Sequence, residues 1–214
     1  MRGWDVGQQA GRVASMLPTG ALVNLGIGMP VAVARAVRPD QQILFHCENG
    51  LIGYRDLADG EPADADVIDA LSAPVGLVAG AAVVAHDVSF AIARGGRLDV
   101  TVLGAFQVSR TGDLANWKTP HAAVAGVGGA MDLAVGAKQV IVMMRHVDGD
   151  GQAKIVERCD YPLTAPTCVD VIVTDLAVIA VTPSGLVVRE IADGITFADL
   201  QDRTATQLQL PSPA

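Results

Sequence analysis

Ala21-Leu22-Val23-Asn24-Leu25-Gly26-Ile27-Gly28-Met29-Pro30 decides the fold class. Its first half reads as a short buried strand, and the glycine pair turns the chain out of that strand. A helix is expected from about Val31 to Val37, ended by Pro39, which disfavours helical backbone in the residue before it. The pattern then repeats. Gln42-Ile43-Leu44-Phe45-His46 is the next strand, and Asn49-Gly50 marks the turn after it. Further strands fall at Leu98 to Leu103, Gln139 to Met144 and Val169 to Val173, with a hairpin joining Val178–Thr182 to Leu186–Glu190 around Pro183-Ser184-Gly185. Upstream, Val6, Ala10, Val13, Ala14 and Leu17 recur at helical steps until Pro18-Thr19-Gly20, and Val84 to Ala93 reads as a helix before Gly95-Gly96. Strands separated by helices and glycine turns predict an α/β fold: an open, mixed, mainly parallel sheet with helices on both faces, in one domain over residues 1–214. Two stretches are expected to be irregular. Arg55 to Pro74 is acidic and reads as a long surface loop, and the tail beyond Gln207, with Pro211 and Pro213, is expected to fray.

Composition supports this reading. At 214 residues, 50% of them apolar and 23 of them glycine, the chain is long enough for a real core and suits a buried, valine-rich sheet. The net charge of −8, with no basic run interleaved with aromatics, argues against a nucleic-acid partner. It also means that a phosphate-bearing ligand would have to find backbone N–H groups or a partner subunit's cations. Cys47, Cys159 and Cys168 form no disulfide framework and read as the reduced thiols of a cytosolic protein. Met1 to Asp5 does not read as a signal peptide, and the apolar run Ala79 to Ala85 is too short to span a bilayer. A soluble, cytoplasmic protein without a membrane partner is the expectation.

In open α/β sheets ligands collect at the carboxyl ends of the strands. Gly26-Ile27-Gly28 lacks the third glycine and the following acid of a dinucleotide site, and no P-loop lysine exists. Read alone, it is a tight turn. Gly126-Val127-Gly128-Gly129 likewise reads alone as a packing turn, with Asp132 capping the next segment. His46, His86, His121 and His146 show no ligand spacing, and no cysteine pair has a zinc interval, so no metal is expected. A Gly-x-Ser-x-Gly elbow is absent. Glu48, in His46-Cys47-Glu48-Asn49-Gly50, stands apart because a carboxylate at the end of an apolar strand is expensive to bury unless used. On position alone it is equally a cap on the Asn49-Gly50 turn. Cys47 is the rival nucleophile, but successive strand side chains diverge, and a buried cysteine is more often a small apolar filler.

Longer blocks carry a resemblance. Asn24 to Pro30, Glu48-Asn49-Gly50, Arg94-Gly95-Gly96-Arg97-Leu98-Asp99, Leu103 to Ser109, Gly112 to Trp117, Gly126 to Leu133 and Cys159 to Thr164 are collinear and cover nearly the whole chain. Together they resemble the B subunit of the 3-oxoacid and 3-oxoadipate coenzyme A-transferases. The resemblance implies that Glu48 is the covalent nucleophile and that coenzyme A is a carried group, with no further cofactor. It implies that Gly128, Gly129 and Ala130 offer backbone N–H groups to oxyanions. It also implies that Asn24, Gly26 and Gly28 line the CoA pocket while Asn49 and Gly50 hold the glutamate's loop. The implied partner is an A subunit, in a heterodimer or a dimer of heterodimers, with acyl-CoA and carboxylic acids as substrates. An acyl-CoA hydrolase or lyase on the same scaffold is the competing reading, and a purely structural partner of a catalytic A subunit is a third.

The chain departs from the family pattern beyond Gly53. Tyr54-Arg55-Asp56-Leu57-Ala58 replaces a Gly-Pro-aromatic-Pro stretch, Ser72 stands where relatives commonly carry a lysine, and Lys118-Thr119-Pro120-His121 replaces Met-Ile-Pro-Gly-Lys. Arg55 is either a substitute cation for that lysine or a solvated surface charge. These departures imply a specialised choice of acyl groups.

Overall fold

The computed structural model describes residues 3–120 and 126–211. In chain order its elements are α1 (Val6–Met16), β1 (Leu22–Leu25), α2 (Val33–Ala36), β2 (Leu44–His46), β3 (Leu51–Arg55), β4 (Gly76–Val83), α3 (His86–Arg94), β5 (Val100–Leu103), β6 (Gln107–Ser109), β7 (Leu114–Ala115), α4 (Ala130–Gly136), β8 (Gln139–Met143), β9 (Ile155–Val156), β10 (Val171–Val173), β11 (Ala177–Thr182), β12 (Gly185–Ile191), α5 (Phe197–Asp202) and β13 (Leu208–Gln209). The main sheet runs β13-β12-β11-β10-β8-β5-β1-β2-β3-β4, and β7-β6-β9 form a small second sheet.

The middle of the main sheet is parallel: β2, β1, β5, β8 and β10 run the same way. These strands are nearly all buried and apolar, as a sheet covered on both faces requires. Antiparallel strands extend it on either side, β3 and β4 beyond β2, and β11 and β12 beyond β10. Helix α1 starts at a capping box in which the Asp5 carboxylate accepts from Gln8 N–H and the Gln8 side chain accepts from Asp5 N–H. It buries Ala10, Val13 and Ala14 and packs with α2, β8 and β10, while α3 and α4 pack on each other beside β5. An Arg94–Asp132 ion pair with two hydrogen bonds, 2.7 and 3.0 Å, ties α3 to α4.

The expected strands, the hairpin through Pro183-Ser184-Gly185 and the mixed, mainly parallel sheet are all present. Three expectations need correction. The acidic stretch from Arg55 is not a loop hanging from the end of a strand but the connection of a hairpin, β3 to β4. Gly76–Val83 is built of Gly, Ala and small apolar residues without alternation and is half-exposed, so it carries no strand pattern to read. The tail is pinned further than expected, since β13 pairs in parallel with β12 and Leu208 is buried. Residues 212–214 of that tail lie outside the described residues, as does His121. Asp132 makes no cap on α4, because its carboxylate is held by Arg94 instead. Among the described residues no helix is long and apolar enough to cross a membrane.

Candidate active site

The carboxyl ends of β1, β2 and β5 open into a cleft of about 380 Å³, closed on another side by the start of α4. Asn24, Gly26, Glu48, Gly128, Gly129 and Ala130 all line it, although they come from three separate sequence blocks. Gly28, Asn49 and Gly50 do not. Gly28 precedes the short 3-10 turn at Met29–Ala32, and the other two shape the loop that presents Glu48.

That loop is fastened on several sides. Cys47 N–H donates to Leu51 O at 2.8 Å and Gly50 N–H to Cys47 O at 3.0 Å, closing a tight turn around Glu48. Gly50 has φ +121°, and a Cβ there would collide with the Val84 carbonyl, so only glycine lets the chain after β4 pass so close. Asn49 Nδ2 donates to Ile68 O at 2.7 Å, and Ala70 N–H donates to Cys47 Sγ at 3.2 Å, binding the 64–74 segment to the same loop.

Glu48 and Cys47 both border the cleft, yet their side chains go different ways. The Cys47 sulfur turns to Ala70, and burial pushes its thiol pKa up, which disfavours the nucleophilic thiolate. The half-buried Glu48 carboxylate lies against Gly129 and close to the Phe90 ring, which also crowds Gly129. Among the described residues that line the cleft none is basic. The carboxylate therefore faces a mostly apolar wall, with the backbone at the start of α4 beside it.

Beneath Glu48 lies a buried polar cluster. Asn24 Nδ2 is 3.0 Å from His46 O and 3.1 Å from His46 Nδ1, while Thr101 Oγ1 donates to Asn24 Oδ1 at 3.3 Å. Ser89 Oγ is 2.9 Å from His46 Nε2 and 3.4 Å from Cys47 O. Burial lowers the His46 pKa, leaving the ring neutral. The Asn24 amide thus spends both hydrogens inside the wall of the cleft.

A second cleft, about 230 Å³, continues from the first across Ile27, Gly104 and Ala105 towards Arg145 and Lys154 after β8. Burial lowers the Lys154 pKa. Arg55 faces neither cleft: its guanidinium forms two hydrogen bonds with the Glu61 carboxylate, at 2.7 and 2.9 Å. It is an internal clasp of the β3–β4 connection, which answers the two readings left open for it. Ser72 is exposed with φ +63° in the turn that follows Asp69. Among the described residues no cluster of His, Cys, Asp or Glu could hold a metal ion.

The sequence model of coenzyme A transferases matches residues 7–202. The chain belongs to the coenzyme A transferase family. The B subunit of the 3-oxoadipate CoA-transferase of Pseudomonas putida is 48% identical over 202 residues, which are 94% of this chain and 94% of that protein. Among solved structures, an acyl-CoA transferase of Escherichia coli O157:H7 in a thioester complex with CoA superposes with a TM-score of 0.78 at 20% identity, over 99% of this chain but 42% of that longer one. The decarboxylase AibA/AibB has the same fold, with a TM-score of 0.72 at 19% identity over 96% of this chain and 85% of that one. This fold therefore supports different reactions, and the chemistry of the coenzyme A transferase family has to be read from the site.

Several residues around the site gave no sequence signal. Ser89 and Thr101 sit on an amphipathic helix and a buried strand, where a hydroxyl reads as filler. Asn116 Nδ2 donates to Gly104 O at 3.1 Å and braces the cleft floor, and Ala70 enters it only because the 64–74 segment folds back. Only a three-dimensional arrangement brings these to Glu48.

Proposed function

We propose that this chain is the B subunit of a two-subunit CoA-transferase that moves CoA from an acyl-CoA to a carboxylic acid, a 3-oxo acid among its substrates. The observation that carries the reading is Glu48: a half-buried carboxylate at the end of a central parallel strand, set against Gly129 in a cleft whose described lining holds no basic side chain.

The chemistry needs no net proton and no ATP. A Glu48 oxygen adds to the thioester carbonyl of the donor, the C–S bond breaks, and CoA leaves as a thiolate beside a mixed anhydride. The thiolate adds to the glutamyl carbonyl and the donor acid departs as a carboxylate, leaving a glutamyl-CoA thioester. The acceptor carboxylate then runs the same steps in reverse order and restores Glu48. Covalent catalysis divides one difficult exchange into steps between activated acyl groups. A poorly solvated carboxylate is the better nucleophile, and no cation among the described lining residues draws on its electrons. The backbone at Gly128, Gly129 and Ala130, with no side chain in the way at the two glycines, supplies N–H donors for the oxyanions.

An A subunit suits the outer rim of the cleft. Ile27, Phe106 and Val127 stand there 60%, 40% and 49% exposed, a grouping of apolar side chains that favours a protein cover. The naming of the Pseudomonas putida relative as one of two lettered subunits supports the same reading. Such a cover would also exclude the water that turns transfer into hydrolysis. Co-purified with its A subunit and given an acyl-CoA plus a panel of carboxylic acids, the chain is expected to form the new acyl-CoA without ATP. Release of free CoA in place of a new thioester would contradict the proposal and favour a hydrolase.

A further inference from the structure

The buried cluster under Glu48 has only one consistent pattern of donors. Thr101 Oγ1 donates to Asn24 Oδ1, which fixes the carbonyl end of that amide towards β5 and its NH2 end towards β2. One amide hydrogen goes to the His46 carbonyl, which can only accept. The other points at His46 Nδ1, 3.1 Å away, so Nδ1 must be bare. A neutral imidazole with a bare Nδ1 carries its hydrogen on Nε2, and that hydrogen is directed at Ser89 Oγ, 2.9 Å away. With its oxygen occupied as an acceptor, Ser89 is free to give its own hydrogen to the Cys47 carbonyl at 3.4 Å.

We infer that His46, as the neutral Nε2–H tautomer, is a positioning residue that passes a one-way chain of hydrogen bonds from Thr101 through Asn24 and Ser89 to the peptide directly before Glu48. The chain joins four separate elements. Thr101 lies on β5, Asn24 on β1, His46 at the end of β2 and Ser89 on α3. Asn24, His46, Ser89 and Thr101 are 2%, 1%, 0% and 0% exposed, so water cannot replace a lost member. The last link acts on the Cys47 carbonyl, which also receives the Gly50 N–H that closes the Glu48 turn. The neighbour of Ser89 on α3 is Phe90, whose ring crowds Gly129 beside the carboxylate, so one helix holds the loop from below and the nucleophile from the side. Protonating the ring would set Nδ1–H against the Asn24 NH2 group, two donors face to face. The cluster tolerates only the one state.

This inference rests on Glu48 being the nucleophile, and its test separates the two ideas. The assembled enzyme, labelled with 15N-histidine, is expected to show a His46 ring protonated at Nε2 alone at pH 7, its signal assigned by its loss in His46→Asn. Ser89→Ala is expected to lower kcat by roughly ten- to a hundredfold, the size of a slight misplacement of a reacting group, while KM for acyl-CoA stays within about twofold. Ser89→Thr, which retains the hydroxyl, is expected to recover most of the loss. A His46 protonated at Nδ1 or at both nitrogens would overturn the inference whatever the kinetics. So would a folded Ser89→Ala enzyme with wild-type kcat, or one in which KM rises as far as kcat falls. If Ser89→Ala does not fold, the ring protonation of the wild type decides alone. Failure of wild-type enzyme to form an adduct at Glu48 removes the nucleophile assignment and leaves the His46 tautomer standing.

Discussion

A Cβ on Gly129 would stand 2.5 Å from Glu48 Oε2, so the carboxylate occupies space that any other residue at that position would claim. The same Cβ would stand 2.6 Å from the Phe90 ring, which closes the obvious escape. Gly129→Ala must therefore push Glu48 or Phe90 aside. Turnover is expected to fall by about a hundredfold, as for a displacement of roughly 1 Å at a reacting group. Thermal unfolding recorded alongside should change little, since the glycine only precedes α4; a large drop in Tm with turnover per folded molecule unchanged would count against this geometry.

Gly50 is a backbone requirement of a different kind. Its φ of +121° and the closeness of the Val84 carbonyl both reject a side chain. Gly50→Ala is expected to cost at least about 2 kcal/mol of stability, the scale of a strained backbone with a steric conflict. Denaturant unfolding measures it, and a change below about 0.5 kcal/mol, the range of neutral surface substitutions, would contradict the assignment.

The parts of the fold legible in the sequence were those whose signal is local. The runs Leu22–Leu25 and Gln139–Met143 are apolar and bounded by glycine or helix, and they became central parallel strands. The β3–β4 hairpin was not legible, because Gly76–Val83 has neither alternation nor branched residues throughout and owes its strand state to pairing with Leu51–Arg55. The short strand at Leu208–Gln209 was hidden by nearby prolines and exists through β12 and the Gln201 side chain, whose oxygen accepts the Leu208 N–H at 2.9 Å. At the site, Glu48 and the Gly128–Ala130 turn were legible through the resemblance, and they meet in one cleft. The Thr101–Asn24–His46–Ser89 chain was not, since each of its members looks ordinary where it stands in sequence.

Arg55 is tied to Glu61, and that pair holds the Glu61 carboxyl down at about 2. The prediction is that Arg55→Ala changes KM for acyl-CoA and for the acceptor acid by less than about twofold, because loss of uniform binding is what would raise KM and Arg55 binds neither. Limited proteolysis should instead cut faster within residues 56–62. A tenfold rise in KM for an acidic substrate would restore Arg55 as a substrate cation.

His146 is fully buried between Thr174 and Thr204, and burial lowers its pKa to about 4. Above about pH 6.5 the ring is neutral in both folded and unfolded chains and has no effect on pH dependence. As pH falls from about 6.5 to 4 the unfolded chain takes up a proton that the folded chain refuses, so stability drops, by roughly 3 kcal/mol in all, and the effect levels off below 4. Comparing denaturant unfolding of wild type and His146→Gln at pH 7 and 4.5 isolates this contribution. The wild type should lose more stability than the variant, and equal losses would show that the ring titrates normally.

Mass spectrometry of the Glu48 peptide tests the central claim most directly. The chain assembled with its A subunit is incubated with acyl-CoA without an acceptor acid, quenched, digested and searched for CoA in thioester linkage. The adduct is expected on Glu48 in the wild type, absent from Glu48→Ala, and discharged when a carboxylic acid acceptor is added. Wild-type enzyme that transfers CoA with no adduct, or an adduct that persists in Glu48→Ala, would contradict it.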